Sequence, residues 1–209
     1  MNLPPDPLLS RPAPREVTPV KPHTQAGAEA ELQLWRSDEL PPPPAPNPHQ
    51  QSEWLRTLNL HEGDPELDAF AERLAREADA PYAMVNMFGV VQHFLGLYAP
   101  PEDGDLPAVG RTMPLDHGYC PTVVSTGKSL ALWDVYASPQ YAGNIVVDLI
   151  NIRAYYGAPL IINGQVLGSL CFLDLEKRPL ATARSLQNLV KREAAAVGSH
   201  LDRRAALHA

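Results

Sequence analysis

The chain has 209 residues and is 44% apolar, enough for one domain of ordinary size with sequence to spare. A formal charge of −7 without any Lys/Arg-rich run argues against nucleic acid as a partner, since an acidic surface repels phosphate, and against a basic helix lying on a membrane. Two cysteines outside CxxC spacing exclude a disulfide framework and argue against a structural metal site. Residues 1–10 lack the charged and apolar regions of a signal peptide, and no segment approaches the ~18 apolar residues of a membrane span, so the chain is expected to be cytoplasmic.

Prolines are concentrated at the start: 13 of the 23 fall within residues 1–48. Each removes a backbone donor and fixes φ, so this stretch is predicted to be a disordered, proline-rich tail with polyproline II segments. Within it, Trp35 in the run EAELQLW either packs loosely on the domain or anchors a partner.

From His49 the composition changes. Trp54, Leu55 and Leu58 recur at helical spacing and predict a helix near 50–60. Asp64-Pro65 opens a second helix, with Asp as N-cap and Pro in the first turn. Leu67, Phe70, Leu74 and Ala78 form its apolar stripe, and Ala80-Pro81 stops it. Asp68, Glu72, Arg73, Arg76 and Glu77 read as its solvated face. Residues 82–88 and 91–97 read as a strand pair around Gly89. A short helix over 118–126 is closed by Gly127, and a strand follows over 130–135. Ser138-Pro139 opens a helical stretch reaching Asn151. Strands over 155–162 and 166–173 join across Asn163-Gly164, a hairpin signal because both positions tolerate positive φ. A final helix over 182–205 buries Leu186, Val190, Ala194, Val197 and Leu201 and turns Lys191, Arg192 and Glu193 to solvent. This order predicts an α+β fold: an antiparallel sheet with long helices on one face and short helices and loops on the other.

Four segments carry a family resemblance. They are Tyr119-Cys120 after Pro114-Leu115-Asp116-His117; Leu132-Trp133-Asp134 followed by Ser138-Pro139-Gln140-Tyr141; the strand RAYYGAPL from Arg153 to Leu160; and the hairpin GQVLGSLC from Gly164 to Cys171, with Asp174 and Pro179 beyond. Together, in this order, they resemble the GAF domain family across residues 64–203. The motif residues also have structural reasons. Gly157 and Gly168 allow close backbone approach or a bend, Pro159 marks an amide the ladder does not need, and Asp134 can cap the following turn.

The resemblance implies a GAF domain over 49–209 with a cover that forms a pocket over the open sheet face. It implies a cytoplasmic sensory or signalling module rather than an enzyme. Such a module binds a small ligand or a partner protein and acts in trans on a separate output protein. A homodimer through the helices at 50–60 and 182–205 is expected. Family members bind cyclic nucleotides, haem, bilins or nothing small, and the marks of each class leave the cofactor open. The Asn-Lys…Phe…Asp-Glu set of cyclic-nucleotide binders is largely missing, since Ile145 follows Asn144 and Leu149 follows Asp148. Bilin-linking members have a Cys followed by His, whereas Pro121 follows Cys120. His93 and His117 are available for haem but come without a specific signature.

The candidate ligand-binding residues are His117, Cys120, Asp134, Tyr141, Asn144, Arg153 and Tyr155, and no residue is assigned a catalytic role. Arg153 suits an anionic ligand, or equally a structural ion pair with Asp134 or Asp148. Cys120 reads either as a small buried side chain or as a thiol activated at a helix start, with His117 and Asp116 within five positions as a candidate base and carboxylate. Cys171, mid-strand between Leu170 and Phe172, reads as structural. Two other functions stay open: a thiol-based redox sensor or enzyme using Cys120, and a ligand-free scaffold whose proline-rich tail docks on a partner. The branch of the family that reduces free methionine sulfoxide uses more cysteines than this chain has.

Overall fold

A computed structural model describes residues 63–101 and 103–207. The expected tail over 1–48 and the helix expected near 50–60 lie outside the described residues.

Helix α1, Pro65–Ala78, begins where the sequence predicts. The Asp64 carboxylate accepts from the amides of Glu66 and Leu67 at 2.9 and 3.1 Å, satisfying donors that have no partner inside the helix. Asp79, at φ 50, ends it in the left-handed conformation. Strands β1, Tyr82–Phe88, and β2, Gln92–Tyr98, pair antiparallel. A short β3, Thr112–Met113, adds to the edge of β2. Next come α2, Cys120–Thr126, and β4, Leu130–Leu132, then α3, Pro139–Ala142, and α4, Ile145–Ile150. Strands β5, Ala154–Ile162, and β6, Gln165–Asp174, form a hairpin whose turn residues Asn163 and Gly164 sit at φ 48 and 75. Helix α5, Ala183–Leu207, closes the chain.

The sheet order is β3-β2-β1-β6-β5-β4, antiparallel throughout, so the hairpin strand β6 lies at the centre beside β1. Alternation along each strand sends successive side chains to opposite faces. One face packs under α1 and α5, where Leu67, Leu74, Val190, Val197 and Leu201 meet Tyr156 and Phe172, whose rings stack at 4.9 Å. The other face carries Tyr82, Met84, Tyr155 and Cys171 and is covered by α2, α3 and α4. This is the α+β arrangement the sequence predicts. Among the described residues no helix is long and apolar enough to cross a membrane.

Several local expectations are corrected. The strand expected over 130–135 stops at Leu132, because Asp134 leaves the ladder and caps a 3-10 turn over Val135–Ala137, accepting from the Tyr136 amide at 3.1 Å. The stretch from Pro139 is two helices rather than one: Asn144, at ψ 135, breaks the first and N-caps the second. The helix expected from Gly118 starts at Cys120, since Gly118 takes a positive φ of 75. Leu186 is only half-buried. Asp68 is not simply solvated: it accepts from the Leu97 amide at 2.8 Å and pairs with Arg111 at 2.9 Å, tying α1 to β2 and the loop before β3. Glu193 is buried rather than outward, paired with Arg73 at 2.9 Å across the α1–α5 contact.

Candidate functional site

Between the sheet and its cover lies a cavity of about 320 Å³. Its sheet side is Met84, Phe94, Tyr155, Cys171 and Leu173. Its cover is Val146, Leu149 and Ile150 of α4 with Tyr119 and Cys120 at the start of α2. The loop running into β3 contributes Val109, and β3 itself Thr112 and Met113. Among the described residues no charged side chain lines it. The polar atoms it offers are hydroxyls, the Gln92 amide and two thiols.

The structure brings together only two of the seven residues singled out from the sequence: Cys120 and Tyr155 line the cavity. Arg153 instead pairs with Asp134 at 3.1 Å and lies over the Tyr136 ring at 4.8 Å, the structural alternative of the sequence reading. Asn144 is a fastener within the cover. Its side chain accepts from the Gly118 amide at 3.0 Å, donates to the Gly118 carbonyl at 2.8 Å, and accepts from the Val146 amide at 3.2 Å. Tyr141 is buried, its ring edge-on to Tyr119 at 5.8 Å, and its carbonyl accepts from the Tyr119 hydroxyl at 3.0 Å. His117 is turned to Asp116 at 3.8 Å, while its carbonyl accepts from Gln92 at 2.8 Å. The suggested His117–Cys120 pairing is therefore replaced by other partners on both sides.

Those partners of Cys120 come from the sheet. Its sulfur lies 3.3 Å from the Tyr155 hydroxyl and 3.6 Å from the sulfur of Cys171. Both cysteines are buried and free. The hydrogen bond with Cys171 is the largest influence on Cys120. Burial opposes it, and Ser169, Tyr155 and Asn86 reinforce it, so the Cys120 thiol is held below its ordinary pKa. Cys171 is pushed up by the same hydrogen bond and by burial. Burial, with the two cysteines beside it, pushes the Tyr155 hydroxyl up, so it stays neutral.

Sequence reasoning missed Gln92, Asn86 and Ser169 here. Gln92, 1% exposed, accepts from the Asn86 side chain at 2.7 Å and donates to the Pro114 and His117 carbonyls at 2.6 and 2.8 Å, fastening the loop that walls the cavity. Ser169 is fully buried, and its hydroxyl has no hydrogen-bond partner. The available signal was a polar residue inside an otherwise apolar strand run, as in YAMVNMF around Asn86 and VLGSLC around Ser169. Buried polar groups in such runs need partners, so they mark a network.

The chain belongs to the GAF domain family: the sequence model of the GAF domain matches residues 63–201. Solved structures agree in fold. The GAF domain of an Acinetobacter phosphoenolpyruvate-protein phosphotransferase superposes with a TM-score of 0.52 at 12% identity, covering 76% of this chain and 94% of that one. The A. aeolicus nlh2 GAF domain in an inactive state gives 0.52 at 13% identity over 85% and 98%. The blue-light-absorbing form of the Thermosynechococcus elongatus PixJ GAF domain gives 0.50 at 12% identity over 75% and 90%. At such identities the likeness concerns the fold alone. No curated protein matches the sequence.

Proposed function

We propose that this GAF domain is a sensory module that binds a small, uncharged, largely apolar molecule in the cavity between sheet and cover, and is not an enzyme. The observation that carries this reading is the lining: apolar side chains on every wall, a few hydroxyl and amide groups, and no charged residue among the described ones. A volume of about 320 Å³ falls at the low end of the range of ligand pockets, roughly 300–1,000 Å³. An anionic nucleotide or carboxylate would lose its hydration there without gaining a counter-charge. Arg153, the cation the sequence offered for that purpose, is engaged by Asp134 outside the lining.

Occupancy has a route outward. The cover is held by Asn144 to Gly118 and by Tyr119 to Tyr141, so a ligand wedged against α4 bears on segments that are fastened to one another. We infer that the resulting change in the cover is read by a separate partner protein in the cytoplasm, with the proline-rich tail and a homodimer through the terminal helices as the means of contact. Native mass spectrometry of the full chain from its own host, with an absorbance spectrum, tests the reading. A retained neutral molecule of low mass supports it, and a retained nucleotide or other anion contradicts it.

A further inference from the structure

We propose that Cys120 and Cys171 form a thiol–disulfide couple, oxidised by a hydroperoxide that enters the cavity, which gives the ligand site a redox input. The inference rests on the preceding reading in one respect: the cavity must admit small uncharged molecules.

The two sulfurs come from elements 51 positions apart, α2 and the central strand β6, yet lie 3.6 Å from one another. They are the chain's only cysteines, both line the cavity, and neither is already bonded. The surroundings favour charge on the Cys120 sulfur. Tyr155 presents its hydroxyl at 3.3 Å, and the Asn86 amide and Ser169 hydroxyl stand close by. Ser169, fully buried two positions before Cys171, adds an unpartnered hydroxyl to the same strand.

The chemistry balances in two steps. The Cys120 thiolate attacks an oxygen of the hydroperoxide ROOH; an S–O bond forms, the O–O bond breaks, and the alkoxide leaves as ROH with the proton Cys120 had released. The Cys171 sulfur then attacks the Cys120 sulfenic sulfur; the S–S bond forms, the S–O bond breaks, and hydroxide leaves as water with the Cys171 proton. The two thiols lose two electrons and the O–O bond takes them up. A disulfide needs the sulfurs at about 2.05 Å, so they must close by about 1.5 Å. Strand β6 is fixed at the sheet's centre, so α2 moves, and with it Tyr119, whose hydroxyl is bonded to the α3 carbonyl of Tyr141 at 3.0 Å. Oxidation thereby reshapes the same cover that ligand binding strains.

The test treats the reduced full chain with tert-butyl hydroperoxide. The expected result is loss of the mass of two hydrogen atoms, protection of both cysteines from alkylation, and a cross-linked Cys120–Cys171 peptide pair. In Cys171→Ser, dimedone is expected to trap a sulfenic acid at Cys120. In Cys120→Ser, Cys171 is expected to stay unreactive. The proposal is overturned by a Cys171 that remains alkylatable while Cys120 advances to sulfinic acid, by disulfides only between copies, or by unchanged thiols. The peptide map on the wild-type chain decides the matter even where a variant fails to fold. Ligand binding is measured separately on the reduced protein: binding without the disulfide removes the redox input and leaves the cavity reading, whereas the disulfide without binding does the reverse.

Discussion

The Tyr155 hydroxyl occupies the space that a β-carbon at Gly157, two residues along the same strand, would need. The tyrosine of the RAYYGAPL motif is thus laid along β5 by the glycine that follows it, with its hydroxyl delivered to Cys120 at 3.3 Å. Gly168 has the matching role on β6, where a β-carbon would meet the Asn86 carbonyl on β1. Gly157 therefore makes space on the pocket face and Gly168 on the helix side, toward Met87.

Gly157→Ala is expected to destabilise the domain by about 1–3 kcal/mol through overpacking. Tyr155→Phe removes the colliding hydroxyl, so the double variant is expected to recover part of that loss. Chemical denaturation of the four proteins measures the coupling, and strict additivity would show that the two residues do not compete for space.

Arg153 and Asp134 are expected to behave as a structural pair. Arg153→Ala and Asp134→Ala each destabilise, with a non-additive double variant and a coupling on the order of 1 kcal/mol. Asp134→Ala costs the more, because Asp134 also caps the turn at Tyr136. Ligand affinity stays unchanged in Arg153→Ala. A large loss of affinity there, measured by calorimetry, would restore Arg153 as a ligand residue.

Asp64 supplies a pH dependence. Burial pushes its carboxyl up, but the hydrogen bond from Arg204, the amides of Leu67 and Glu66 and the Arg204 charge outweigh burial and hold it below the usual carboxylate range. A depressed folded pKa means that its contribution is fully present above the unfolded value, about 3.9, and is lost as pH falls through the lower folded value. Asp64→Asn keeps a good N-cap while removing the charge. It is expected to flatten the acid limb of a stability–pH curve while costing little near pH 7 beyond the Arg204 pair. An unchanged acid limb would mean that other carboxylates control acid unfolding.

Leu149 lines the cavity yet is 60% exposed, so it can be changed without disturbing the core. Leu149→Glu is expected to leave the melting temperature of the free protein nearly unchanged and to weaken an apolar ligand by about tenfold, the loss of roughly one buried apolar contact. Equal affinity in the variant would place the ligand elsewhere.

Much of the fold was legible in the sequence because its signals are local. The Asp64-Pro65 cap, the Asn163-Gly164 turn and the stripe on α5 each depend on neighbours in the chain. The breaks were less legible. Asn144 ends one helix and starts another because its side chain is held by Gly118, 26 positions away, which no window around Asn144 reveals. Glu193 reads as solvated in the sequence for the same reason, since its partner Arg73 lies 120 positions distant. Of the candidate residues, Cys120 and Tyr155 line the cavity, whereas Arg153 and Asp134 pair with each other, a tertiary contact that neither residue's neighbours in the chain reveal. Cys171 reads as structural from its strand; that it stands opposite Cys120, 51 positions away, is again a tertiary fact.

The cavity reading is tested most directly by methionine-methyl NMR on the full chain. Of the four methionines, Met84 and Met113 line the cavity, while Met87 lies in the core on the helix side of the sheet. Titration with small neutral apolar compounds is expected to shift the Met84 and Met113 methyl signals and leave Met87 in place, with anionic analogues of the same shape having no effect. Shifts produced by the anions alone, or by no compound at all, would contradict an uncharged ligand in this pocket.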